Sequence, residues 1–127
     1  MTASTLALRS APLVLLIGMG FGIFMAASQD HTLMPAHAHL NLLGFVATLL
    51  MGLVYRIDPV VDASALAKAQ IWIWLAAVAV MFVSLCLLLY GNEKAEIGAS
   101  VASIIGIVTA AVFAFNVFRI TGKTAMG

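Results

Sequence analysis

His37-Ala38-His39-Leu40-Asn41-Leu42-Leu43-Gly44-Phe45-Val46 opens an apolar run that continues to Tyr55, and its reading decides the fold. As a helix the 22 residues Pro35 to Arg56 extend about 33 Å, enough to cross a bilayer. Pro35 falls in the first turn, where its missing N–H would be unpaired anyway. Two imidazoles therefore stand at the mouth of a membrane helix. A side chain that takes a proton or a metal is costly there and is rarely kept without a use.

The rest of the chain agrees with lipid as its solvent. Of 127 residues, 64% are hydrophobic and 9% charged, with mean hydropathy +1.14. A soluble domain holds about 45–50% apolar and about 25% charged residues. The net charge of +1 offers no basic face for nucleic acid and no acidic tail. Cys86 is the one cysteine, so it forms no disulfide within the chain and packs as a small hydrophobe.

Upstream, Ala11 to Ala27 forms a first apolar run after Arg9. It is long for the apolar region of a signal peptide and just long enough to span, so it is read as a retained helix. Gly18-x-x-x-Gly22 within it has the spacing at which membrane helices approach closely. Either these glycines serve ordinary packing or they clear room for a flat ligand. Ser28 to Met34 is a short polar connection with Asp30 and His31. Downstream, the aqueous loop 57–69 carries Asp58, Pro59, Asp62 and Lys68, and leads to a helix over 70–90 with Trp72, Trp74 and Tyr90 at its ends. The turn 91–96 and a helix over 97–120 complete the chain. The expectation is one all-α domain, residues 1–127, with four transmembrane helices at 11–27, 35–56, 70–90 and 97–120.

Four crossings place Arg9, Arg56, Lys68, Arg119 and Lys123 on one side and only Lys94 on the other. The positive-inside bias predicts both termini in the cytoplasm and the histidines toward the outer side.

Helix positions two apart lie about 200° apart, so His37 and His39 point to nearly opposite sides. They cannot close on one ion as a pair four apart does. Each faces a separate cavity, and in a ring of identical subunits His37 of one chain would meet His39 of the next. Imidazole ligates zinc, copper and haem iron. With no cysteine pair, thioether cluster or carboxylate beside the histidines, a flat apolar cofactor fits best, and that is haem b. Copper or zinc at the outer face is the alternative, with His31, His37 and His39 contributed by several subunits. The bland alternative has the histidines bonded to the 28–34 turn or to Asn41, binding nothing. Asp30 would either fix a histidine tautomer or stand solvated in its turn.

The order His37-x-His39, Gly44, Gly52, Tyr55, Pro59 resembles the helix of haem-copper oxidase catalytic subunits that carries both haem ligands, above all in the cbb3-type and nitric oxide reductase branch. The likeness covers Pro35 to Pro59 at most. It implies His37 as a ligand of the high-spin haem and His39 of the low-spin haem. Asn41 and Gly44 on the same helix are the further expected cofactor contacts, together with Gly18 and Gly22 on the reading that these clear room for a flat ligand. That family's subunit has about twelve helices in three arcs of four. This chain supplies about one arc, which implies a homotrimer in a bacterial cytoplasmic membrane. The copper site's three further histidines are missing. The expected function is thus electron transfer or redox and gas sensing, with an unknown redox partner. An open-iron enzyme that reduces O2 or NO is the alternative.

Overall fold

Polar side chains at the ends of apolar runs set the helix boundaries in this protein. In the computed structural model, which describes residues 1–127, Thr2 accepts from the Thr5 amide and starts α1 (Ala3–Ser28). Gln29 ends it in the left-handed conformation, at φ 56°. Next comes α2 (Met34–Tyr55), a single rod built of an α segment, a π segment (Leu40–Ala47) and a second α segment. Asp58 caps the short α3 (Pro59–Asp62) through the Val60 and Val61 amides. Ser64 caps α4 (Ala65–Leu89), and α5 (Ala95–Ala125) follows the Gly91 turn.

All four expected spans exist, and the four long helices are apolar and long enough to cross a membrane. All four begin earlier than the apolar runs suggested, α2 by a single residue. α1 reaches back to Ala3 because Asp62 receives both the Ser4 amide and the Ser4 hydroxyl, each at 2.6 Å. An acidic group at a helix N-terminus pairs otherwise orphaned amides and meets the positive end of the helix dipole. That acceptor lies 58 positions along the chain, so nothing local announces it.

The long helices form an open row. α1 packs along α2, α2 against α4, and α4 along α5, while α1 and α5 are not packed on each other. Ser4–Asp62 and the Lys123–Asp58 ion pair (2.9 Å) tie one end of the row together. Tyr90, donating to Asp30 at 3.3 Å, ties the other. The most apolar stretch of α2 is 33% buried against 17% in α1 and α5, so α2 is the central element. Leu16 and Ile17 on α1, and Ile107 and Phe118 on α5, lie bare on the outer faces.

Central placement follows from a stripe of buried residues on α2 at every fourth position: Ala36, Leu40, Gly44, Thr48 and Gly52. In a plain α-helix such a stripe drifts about 40° per step. A π segment takes more residues per turn and cancels the drift. The whole length of α2 therefore keeps one face toward α1 and α4. A Cβ on Gly52 would lie 3.0 Å from Ala7, and one on Gly44 2.7 Å from Val14. The sequence reading had a uniform α-helix here. The π segment is held from outside α2: the Trp74 indole donates to the Leu43 carbonyl (3.3 Å) and to the Thr48 hydroxyl (3.1 Å). Thr48 itself donates to the same carbonyl at 3.0 Å.

Toward the basic end, the fully buried Tyr55 donates to Gln70 (3.0 Å) and accepts from Asn116 (3.1 Å), joining α2, α4 and α5. Arg119 completes the chain by donating to Asn116. Tyr55→Phe leaves Gln70 without a donor and Asn116 without an acceptor. The expected cost is about 1–3 kcal/mol, read as a lower melting temperature of the detergent-solubilised protein by circular dichroism.

Asp58 titrates below the ordinary carboxylate range, chiefly because Lys123 bonds to it and then because the Val61 amide does. A depressed carboxyl stabilises the fold above its unfolded value and loses that contribution as pH falls through the folded one. Asp58→Asn should thus lower the melting temperature slightly at neutral pH. The gap to wild type should close as pH drops below about 4.

Candidate functional site

The polar side chains of α2 nearest its N-terminal end divide between its two faces. His37 and His39 precede the π segment, so the wide angle expected between them is kept, and their surroundings differ in kind.

His37 faces α1. Its ring lies against Gly22, where a Cβ would come 3.2 Å from Cε1, and it stacks on Phe21 with ring centroids 6.4 Å apart. One turn along, the Asn41 amide nitrogen lies 3.1 Å from His37 Nε2 and 3.3 Å from Nδ1. The Asn41 carboxamide fills the gap at Gly18, where an added Cβ would collide with it. Gly18 and Gly22 thus clear room, as the motif suggested, but the room holds this chain's own Asn41 and His37. The buried Asn41 Oδ1 has no donor. Rotating the amide would turn that oxygen toward the imidazole and leave the NH2 unpaired at Gly18, since either end of an amide fits the same density of contacts. His37 is therefore half-buried, with the Asn41 amide bonding whichever ring nitrogen carries the lone pair.

His39 faces away from α1 and is exposed. Its Nδ1 lies 2.8 Å from the Pro35 carbonyl, one turn back. A carbonyl only accepts, so Nδ1 carries the proton and Nε2 keeps its lone pair. Metal-ligating histidines are commonly held in this way, the second nitrogen's bond fixing tautomer and ring orientation. The ring borders a groove of about 310 Å³ between α2, α4 and α5, lined mostly by apolar side chains. Ligand pockets run from about 300 to 1,000 Å³, so the groove is small for a haem. A macrocycle seated on it would extend past the chain's own walls toward lipid or a second subunit. Gly44 lies under the α1–α4 contact, packed toward Val14 and Val78, and lines neither imidazole's open side.

His31 stands exposed in the α1–α2 connection. No three of the His, Cys, Asp and Glu residues converge within the chain, so His31 does not join His37 and His39. Asp30 does not bond a ligand histidine. It accepts from the Thr32 hydroxyl (2.6 Å), the Thr32 amide and Tyr90, and the Thr32 bonds above all lower its pKa. Arg56 and Arg119 sit at the far end of the row, beyond reach of a cofactor beside the histidines.

Sequence reasoning missed two contributors to the His39 groove. Met81 and Ser103 both line it, with the Ser103 hydroxyl 3.9 Å from the Met81 sulfur. A thioether in an apolar run reads as one more hydrophobe, and only the α2–α4 packing puts it on the same groove as an imidazole. Comparison with protein-family models, curated proteins and solved structures finds no match to this chain.

The three glycines of α1 meet different surroundings, which separates their roles. Gly18→Ala must expel the Asn41 amide, Gly22→Ala needs only a small shift of His37, and a Cβ at Gly20 meets nothing within 4 Å. Thermal denaturation should therefore rank Gly18→Ala as the most destabilising. Gly20→Ala should be neutral or gain up to about 1 kcal/mol from helix propensity.

Proposed function

We propose that this chain is a membrane protein that binds haem b and passes or senses single electrons. The observation that carries the reading is His39, an imidazole with Nδ1 anchored on Pro35 and Nε2 free, bordering a small apolar groove near the start of a membrane-length helix. The likeness of His37-x-His39, Gly44, Gly52 and Tyr55 to the haem-bearing oxidase helix points the same way. The donor set fits haem at His39. Bound there, haem would supply a one-electron iron couple, and this chain's part is to ligate, orient and desolvate it.

His37 fits less directly. In the homotrimer that the resemblance implies, His37 of one subunit and His39 of the next would share an iron, but the His37 ring must first leave Asn41 and α1. His39 needs no such rearrangement, so it is the ligand assigned first. The open row of helices favours assembly, since a ring of copies would cover apolar faces that one chain leaves bare. The basic residues gathered at the Asp58–Lys123 end support a cytoplasmic position for both termini and an outward position for the histidines. The resemblance favours a bacterial cytoplasmic membrane as the protein's location.

Protein expressed with ample haem and purified in detergent should show a b-type spectrum, with iron protoporphyrin IX identified as its pyridine haemochrome. His39→Ala should abolish it, whereas His37→Ala should keep at least part. Colourless wild type, or metal analysis that finds zinc or copper without iron, sinks the haem reading. Prompt binding of carbon monoxide by the reduced protein would favour the open-iron enzyme.

A further inference from the structure

We infer that Trp74 is a positioning residue for the iron ligand: its indole holds the π segment of α2, and that segment aims His39 at the groove. The inference rests on the haem reading and adds what sets the direction of the imidazole.

Helical geometry links the two side chains. A π segment takes more residues per turn than an α-helix, so residues beyond it are set back around the helix axis. Leu40–Ala47 lies between His39 and the second α segment of α2. Residues 48–55 carry the closest packing against α1, so they are the fixed end and Met34–His39 is the end free to turn. If the π segment rewound as plain α-helix, Met34–His39 would rotate by one residue's step, roughly 100°. Each residue would then point where its predecessor points now. His39 would take the direction of Ala38 and leave the groove that it borders.

Trp74 keeps the π segment from rewinding. Such segments are rare, and side chains inserted into the backbone ladder are among their causes. Leu43 and Thr48 stand five positions apart, the spacing of a π turn. The indole Nε1 bonds to both, at 3.3 Å from the Leu43 carbonyl and 3.1 Å from the Thr48 hydroxyl. In lipid a carbonyl drawn out of its ladder has no water to replace a lost donor, so removing the indole favours the α form. Trp74 is buried and also lines the His39 groove, so one side chain walls the groove and turns its imidazole.

The test reads the rotation first without haem, in full-length Cys86→Ser protein in detergent carrying either Ala36→Cys or Ala38→Cys. Ala36 is buried and Ala38 exposed. Maleimide should therefore label the Ala38→Cys protein and spare the Ala36→Cys protein. Adding Trp74→Phe should reverse the order, with position 36 turned outward and position 38 turned against α1. Thr48→Val, which removes the indole's second partner, should do the same and serves if Trp74→Phe does not fold. Thr48→Ser keeps the hydroxyl and should label as Thr48 does. With haem supplied, Trp74→Phe should lose the b-type spectrum of the wild type. Unchanged labelling, labelling that rises at both positions, or a haem-loaded Trp74→Phe with the wild-type spectrum overturns the role of Trp74 and leaves the haem reading standing. Reversed labelling in a protein whose wild type takes up no haem sinks the haem reading and upholds the hold of Trp74 on His39.

Discussion

Two side chains meet at the Leu43 carbonyl, and the architecture depends on them. Thr48 and Trp74 both donate to it, and Trp74 also bonds Thr48, so a turn of π-helix is fixed by a side chain from a different span. Within a bilayer no water can pair a carbonyl loosened from its helix, so such irregularity survives only where protein groups take up the bonds. Once fixed, the π segment keeps Ala36, Leu40, Gly44, Thr48 and Gly52 on one face. That face accepts α1 on one flank and α4 on the other, and leaves His37 and His39 at the same end on opposite sides.

The other polar groups inside the row follow the same rule. Asp62 is paired with the first turn of α1, and Tyr55 is satisfied on both sides by Gln70 and Asn116. Each of these bonds joins elements distant in sequence, so they specify which helices meet and at what height. Apolar packing alone gives little specificity in lipid, because tails solvate leucine as well as other leucines do. The exception is Asn41 Oδ1, which is buried without a donor beside His37. Among the buried side-chain oxygens and nitrogens it alone lacks a partner.

The two histidines thus differ by environment rather than by chemistry. His37 is walled by Phe21, Gly22 and Asn41, whereas His39 is anchored through Nδ1 and presents its second nitrogen to an open groove. A single helix separates a closed imidazole from an available one, and the difference comes wholly from which neighbour each side meets.

Composition and apolar run length determined the class of this protein and its four crossings, because lipid requires long apolar helices and nothing else in the chain could satisfy it. The two-residue step from His37 to His39 likewise determined that they diverge, since helical geometry leaves no alternative. The early start of α1, the π segment and the identity of the groove's lining were decided only by the tertiary structure. Asp62 caps a helix 58 positions away, Trp74 acts on Leu43 across a helix contact, and Met81 gains meaning only when α4 lies beside α2. Such contacts depend on which faces pack and at what depth, and neither is encoded in the residues' own neighbours along the chain.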